Sequence, residues 1–161
     1  MNKIKTIAML LIATSVLMTS CSQDDDFIQE VLQPSTSSWV EPFHEKGASI
    51  EDVKSFMAFK RNDLTLSERS SSACFQLVFS APGSSTGIIY SFYSFDRTLY
   101  SVIDTEPMSN WNLVQEYLQE RYTTVSVTTD GTMLTTYDKT VIINMVKDSD
   151  EYFNLTYNFT R

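Results

Sequence analysis

The chain offers one histidine and two cysteines as possible nucleophiles, bases or soft metal ligands: His44, Cys21 and Cys74. A Ser-His-Asp or Cys-His device would have to run through His44, which stands in "EPFHEKG" ahead of the first helical pattern. That setting reads as an exposed or half-buried loop histidine. Zinc asks for several His or Cys ligands, and His44 with Cys74 is too small a set. The run "DSDE" at 148–151 lacks the glycine and distal glutamate of an EF-hand loop and reads as a solvated turn. Glu116 and Glu120 fall on the polar side of a helical pattern, where glycosidase chemistry would need a cleft and a facing carboxylate. Four glycines in 161 residues leave no phosphate-cradling loop. No catalytic residue, metal or cofactor is expected, and the chain reads as a non-enzyme.

Cys21 has different surroundings. The first twenty residues open with Lys3 and Lys5, run through an almost wholly apolar stretch from Ile7 to Met18, and end on the small Thr19 and Ser20. This is the layout of a secretory signal peptide, and the apolar run is shorter than the about 20 residues a membrane-spanning helix needs. "LMTSC" resembles the lipobox of bacterial lipoproteins, with Met18 where that family usually has Leu and Leu17 one position earlier. The resemblance implies cleavage before Cys21, a diacylglycerol on its thiol and acylation of the new amine. Each buried CH₂ contributes about 0.8 kcal/mol, and several chains hold where one is marginal. The next residues, Ser22, Gln23, Asp24, Asp25 and Asp26, resemble the acidic export signal behind the cysteine in surface lipoproteins of gut-type Gram-negative anaerobes. That resemblance implies the outer membrane, lipid-anchored and facing the cell exterior. With Cys21 acylated, Cys74 has no disulfide partner. In "ACFQLVF" it reads as a small buried hydrophobe in a strand.

Composition narrows the partners. Without the first twenty residues the chain keeps ten Lys and Arg against twenty Asp and Glu, a balance that repels phosphates and excludes nucleic acid as a partner. The aromatic content of 12% is too high, and too regularly placed, for a disordered chain. The expected organisation is a lipoprotein signal peptide at 1–20, a lipidated tether at 21–38 around "QPSTSS", and a single domain at 39–161.

Within the domain, "GASIEDVKSFMAFK" is a helix: Ser49 can cap it, Asp52 completes a capping-box pair, and Ile50, Val53, Phe56 and Met57 share an apolar face. The period then changes to two. Phe75, Leu77 and Phe79 line one side of a strand over 74–80, and strands follow over 88–95 and 98–104, with a weaker one near 64–66. "PMSNWNLVQEYLQERY" is a second helix, capped by Ser109 or Asn110, with Val114, Tyr117, Leu118 and Arg121 on one face. Four strands follow, over 122–128, 133–137, 140–146 and 152–159. Asp130-Gly131 marks the first hairpin. The last strand alternates Phe153, Leu155, Tyr157 and Phe159 with Asn154, Thr156 and Asn158.

These elements predict an α+β fold in which two helices pack on one face of an antiparallel sheet, with a duplicated helix-plus-strands unit suggested by Val53, Phe56 and Met57 against Val114, Tyr117 and Leu118. "EKGASIEDVKSFM", "YSFYSFDRTLYSVI" and "YDKTVIINM" resemble segments of small surface lipoproteins from the same kind of bacteria, in which a W-G-A-S-like start leads into a helix and a Y-x-F strand. Here Lys46 stands where that family often has Trp. The unit is also weakly similar to the helix-plus-sheet repeats of β-lactamase-inhibitor-like domains. Trp39, Trp111, Tyr93, Tyr100 and Tyr152 are not all assigned inward by alternation, and aromatics on a sheet can meet a protein or a sugar. The expected function is a lipid-anchored surface lipoprotein with a non-catalytic binding or structural domain. Its membrane contact runs through acyl chains on Cys21, and its partner is a protein or a glycan. An inhibitor or envelope-assembly role is the first alternative, and hydrolysis of an envelope or dietary glycan the second.

Overall fold

The computed structural model describes residues 39–160; the expected signal peptide and tether lie outside them. Helix α1, Ile50–Lys60, starts where the sequence requires. The Ser49 hydroxyl accepts from the Asp52 amide at 3.2 Å, and the Asp52 carboxylate accepts from the Ser49 amide at 2.9 Å. The two groups satisfy donors that the first turn leaves orphaned. The helix buries Val53 and Met57.

Helix α2, Trp111–Arg121, begins differently from expectation. A single 3₁₀ turn, Met108–Asn110, leads into it, and no side chain caps it. The Asn110 amide is engaged elsewhere, donating to Glu106 Oε2 at 2.8 Å. Val114 and Leu118 face the core. At the last turn the Arg121 guanidinium lies 3.6 Å from the centre of the Tyr117 ring.

The strands are β1 (Thr65–Ser70), β2 (Cys74–Ser80), β3 (Gly87–Tyr93), β4 (Leu99–Pro107), β5 (Thr123–Val127), β6 (Gly131–Thr135), β7 (Val141–Lys147) and β8 (Tyr152–Phe159). They form one sheet in the order β1-β2-β3-β4-β8-β7-β6-β5, with every pairing antiparallel. Each four-strand run is a meander, and the two runs meet through β4 and β8. The chain therefore crosses from one edge, β1, to the middle, and α2 carries it to the other edge, β5.

This architecture overturns the expected α+β fold of two helices packed on one face of a sheet. The described chain is a mostly-β fold: one eight-stranded antiparallel sheet and two eleven-residue helices. The reason is dimensional. A helix of that length runs about 16 Å, while eight strands about 4.8 Å apart span roughly 34 Å. Only Val53, Met57, Val114 and Leu118 are buried from the helices, and most of the core comes from the strands themselves. β1 and β5, the two edge strands, have every side chain exposed.

Cross-strand rows build the core. One runs Leu77–Tyr90–Val102–Tyr157–Ile143–Leu134 from β2 to β6, and all six are essentially inaccessible to solvent. The parallel row reads Phe79–Ile88–Asp104–Leu155–Met145–Thr132, so a carboxyl sits in the middle of an apolar line. Trp111 packs edge-on against Phe153 at 5.3 Å.

Candidate functional site

The opposite face of the sheet is the candidate site. Strand alternation places on it the side chains one position along each strand from the core rows. One row crosses all eight strands: Ser67, Val78, Ile89, Ile103, Thr156, Asn144, Met133 and Ser126. A second reads Arg69, Gln76, Ser91, Ser101, Asn158, Ile142, Thr135 and Thr123. A third holds Ser80, Gly87, Thr105, Asn154 and Val146. In a chain with 32 charged side chains, the only one among these positions is Arg69, on the edge strand.

The rows are internally ordered. Gln76 Nε2 donates to Ser91 Oγ at 3.1 Å, Ser101 Oγ to Asn158 Oδ1 at 3.2 Å, and Thr105 Oγ1 to Asn154 Oδ1 at 2.8 Å. Each leaves an amide group free to meet a partner. Val78, Ile89 and Ile103 make an aliphatic centre, partly exposed. At one end, a register shift after Ser91 in the β3–β4 pairing brings Tyr100 against Tyr93, ring centres 4.7 Å apart, and Phe95 lies 5.3 Å from Tyr93. Burial pushes the Tyr100 hydroxyl above its usual range. Gly87 needs its missing Cβ, because a methyl there would run into the Phe79 carbonyl oxygen.

Cys74 also belongs to this face. It lies in β2, as expected, but is half-buried on the side away from the core, with Sγ 3.7 Å from Ser71 Oγ. Alternation explains this, since Phe75, Leu77 and Phe79 take the inward positions. The aromatics divide between the two sides. Trp39 and Trp111 pack against the core, while Tyr93, Tyr100 and Tyr152 stand on the outward face.

Two polar clusters lie on the helix side. In the first, residues 39–45 cross to β8 through Glu41. Its Oε1 accepts from the Tyr122 hydroxyl at 2.7 Å and the Tyr157 hydroxyl at 3.4 Å. His44 stacks on Tyr157 at 4.7 Å, its Nδ1 donates to the Pro42 carbonyl at 2.7 Å, and Nε2 lies 3.0 Å from the Tyr122 oxygen. Burial and the adjacent Glu41 carboxylate raise both tyrosine hydroxyls well above their ordinary value. A groove of about 390 Å³ opens beside this cluster, lined by Glu41, His44, Phe56, Lys60 and Tyr117 among others. The hydrogen bonds tie these polar groups to one another and to the backbone at Pro42, which makes the cluster a clasp for residues 39–45.

The second cluster is the carboxyl pair Asp104 and Glu106 on β4. Asp104 is wholly buried and accepts from the Trp39 indole at 3.0 Å. Desolvation, reinforced by Glu106, lifts it to about 8, and burial raises Glu106 as well. The pair faces Trp39 and the core without access to a substrate. Sequence reasoning ended the strand at Asp104 and missed the pair, although the period of two through Val102, Asp104 and Glu106 points all three inward.

The expected site residues Cys21, Ser22, Gln23, Asp24, Asp25 and Asp26 lie outside the described residues. Among the described residues no group of three or more His, Cys, Asp or Glu side chains could hold a metal ion, and no helix is long and apolar enough to cross a membrane. Comparison of the chain with protein families, with curated proteins and with solved structures finds no match.

Proposed function

We propose that the chain is a lipid-anchored lipoprotein of the outer-membrane surface whose sheet domain docks a partner without doing chemistry on it. The anchor rests on "LMTSC" and the acidic residues behind it. The docking role rests on one observation above others: the row from Ser67 to Ser126 crosses eight strands without a charge. A solvated sheet face ordinarily alternates hydrophobic-in with polar-out. Here the outward face keeps an aliphatic centre, surrounded by hydroxyls and carboxamides. Depletion of charge at the middle of a patch, with a polar rim and tyrosines, is the composition of protein interfaces.

That composition favours a protein over a glycan and makes the inhibitor or envelope-assembly role the second reading. Hydrolysis draws no support from the carboxylates, because Asp104 and Glu106 are enclosed and Glu116 and Glu120 lie exposed on the outer side of α2. The test has two arms. Cys21→Ala should move the protein from the membrane to the soluble fraction, and protease added to intact cells should digest the wild-type domain. A membrane-bound Cys21→Ala protein contradicts the anchor, and full protection from protease contradicts surface display.

A further inference from the structure

Apart from Arg69 on the edge strand β1, the three outward rows carry no charge, in a chain whose net charge is −8. The strand carboxylates among the described residues, Glu68, Asp104 and Glu106, all take core-side positions, opposite Leu77, Leu155 and Phe153. Two molecules of like charge repel, so a second copy of this chain can come close only where that charge is missing. A cationic partner would gain nothing on this face, because no carboxylate stands there to meet it.

The face is also complementary to itself. Its polar groups are hydroxyls and carboxamides, each able to donate and to accept, and they flank the aliphatic centre of Val78, Ile89 and Ile103. A two-fold axis sets one patch against the same patch on the second copy. Laid along the strands through the middle of the sheet, that axis puts Arg69 over the uncharged β5 of the second copy and away from the other Arg69.

The area is sufficient. Seven-residue strands such as β3 and β7 run about 23 Å, and eight strands span roughly 34 Å, so the face offers about 750 Å² per copy. Each partner in a stable interface of standard size gives about 800 Å². The face is already ordered: Ser91 and Thr135 are buried in it, and side-chain hydrogen bonds hold Gln76, Asn154 and Asn158, which lowers the cost of association. The sheet edges are poorer seats. β5 has a register shift between Thr124 and Ser126, and β1 carries Glu68 and Arg69; bulges and charges both blunt extension of a sheet.

We infer that the outward face is covered by a second copy of this chain, the two sheets stacked about 10 Å apart. This rests on the reading of that face as a docking surface and names its occupant.

The experiment expresses two full-length copies together, each with its own C-terminal tag, one of them carrying a photoreactive residue in place of Ile103. Illumination of intact cells should give an adduct of twice the chain mass that carries both tags. Thr156→Glu in both copies should reduce it at least tenfold, and the photoreactive residue at position 116 should give none. An adduct at 103 of another mass, with no two-tag product, overturns the second copy and leaves the docking surface standing; no adduct at all overturns both. A two-tag adduct of equal yield from position 116, or one undiminished by Thr156→Glu, also overturns the pairing. Should Thr156→Glu lose the wild-type circular dichroism, Asn144→Asp, which adds a charge to the same row at constant size, decides in its place.

Discussion

The indole nitrogen of Trp39 lies 3.0 Å from Oδ2 of Asp104, sixty-five residues away in sequence and in the middle of the core row. This contact ties the first described residue of the domain to its central strand. It also places a carboxyl where the neighbouring rows hold aliphatic and aromatic side chains.

Stability should therefore depend on pH in an unusual direction. Asp104 has a folded value of about 8 against an ordinary 3.8, so the folded state holds a proton that the unfolded chain has released. Its contribution is fully present below about pH 4 and is lost as pH rises toward 8. Denaturant titrations at pH 5, 7 and 9 should show the unfolding free energy falling with pH, by an amount on the order of a few kcal/mol. In Asp104→Asn that slope should flatten. An unfolding free energy that rises from pH 5 to 9 would contradict the assignment.

The Glu41 clasp predicts a cost for one hydroxyl. Tyr122→Phe removes the 2.7 Å donor to Glu41 and leaves a half-buried carboxylate short of a partner. The expected loss is about 1–3 kcal/mol, read by urea denaturation. Tyr157→Phe removes the longer 3.4 Å contact and should cost less. The reverse order would mean that Glu41 is held mainly from β8.

The capping box at α1 should be worth a smaller amount. Ser49→Ala deletes the acceptor for the Asp52 amide and should destabilise the domain by about 1 kcal/mol. Ser109→Ala, by contrast, should change little, because no side chain caps α2. Thermal melts of the two variants side by side make the comparison.

Core burial sets the largest expected effect. Ile143 is inaccessible and lies between Tyr157 and Leu134 in a row crossing the sheet. Ile143→Ala should cost about 2–5 kcal/mol. Ile142→Ala, one residue along on the outward face, should cost distinctly less, and equal losses would contradict the assignment of faces.

Much of this was legible locally. Ser49 with Asp52 announced the start of α1, and the alternation through Phe153, Leu155 and Tyr157 marked the inward side of β8. Some boundaries moved for local reasons. The strand expected over 133–137 ends at Thr135, because Thr136 and Asp138 bind the turn that Lys139 closes at a φ of 58°. The strand expected to stop at Asp104 runs on to Pro107, because burial neutralises a residue whose type signals solvent. The sheet order was not legible. Nothing near Ile103 in sequence says that Thr156 is its neighbour, so the charge-free row appears only after β4 and β8 have paired. A strand was expected near each of the eight, β1 and β5 included; what misled was the weight of the two helices, which bury only Val53, Met57, Val114 and Leu118.

The docking role is tested most directly by site-specific photo-crosslinking on intact cells. A photoreactive residue replaces Ile103 in the middle of the outward row, or Glu116 on the exposed side of α2 as a control. The account predicts a discrete adduct from position 103, lost when Thr156→Glu places a charge beside it, and none from position 116. No adduct at 103, or the same adduct from both positions, would contradict the claim that the sheet face carrying the charge-free row is where this protein meets its partner.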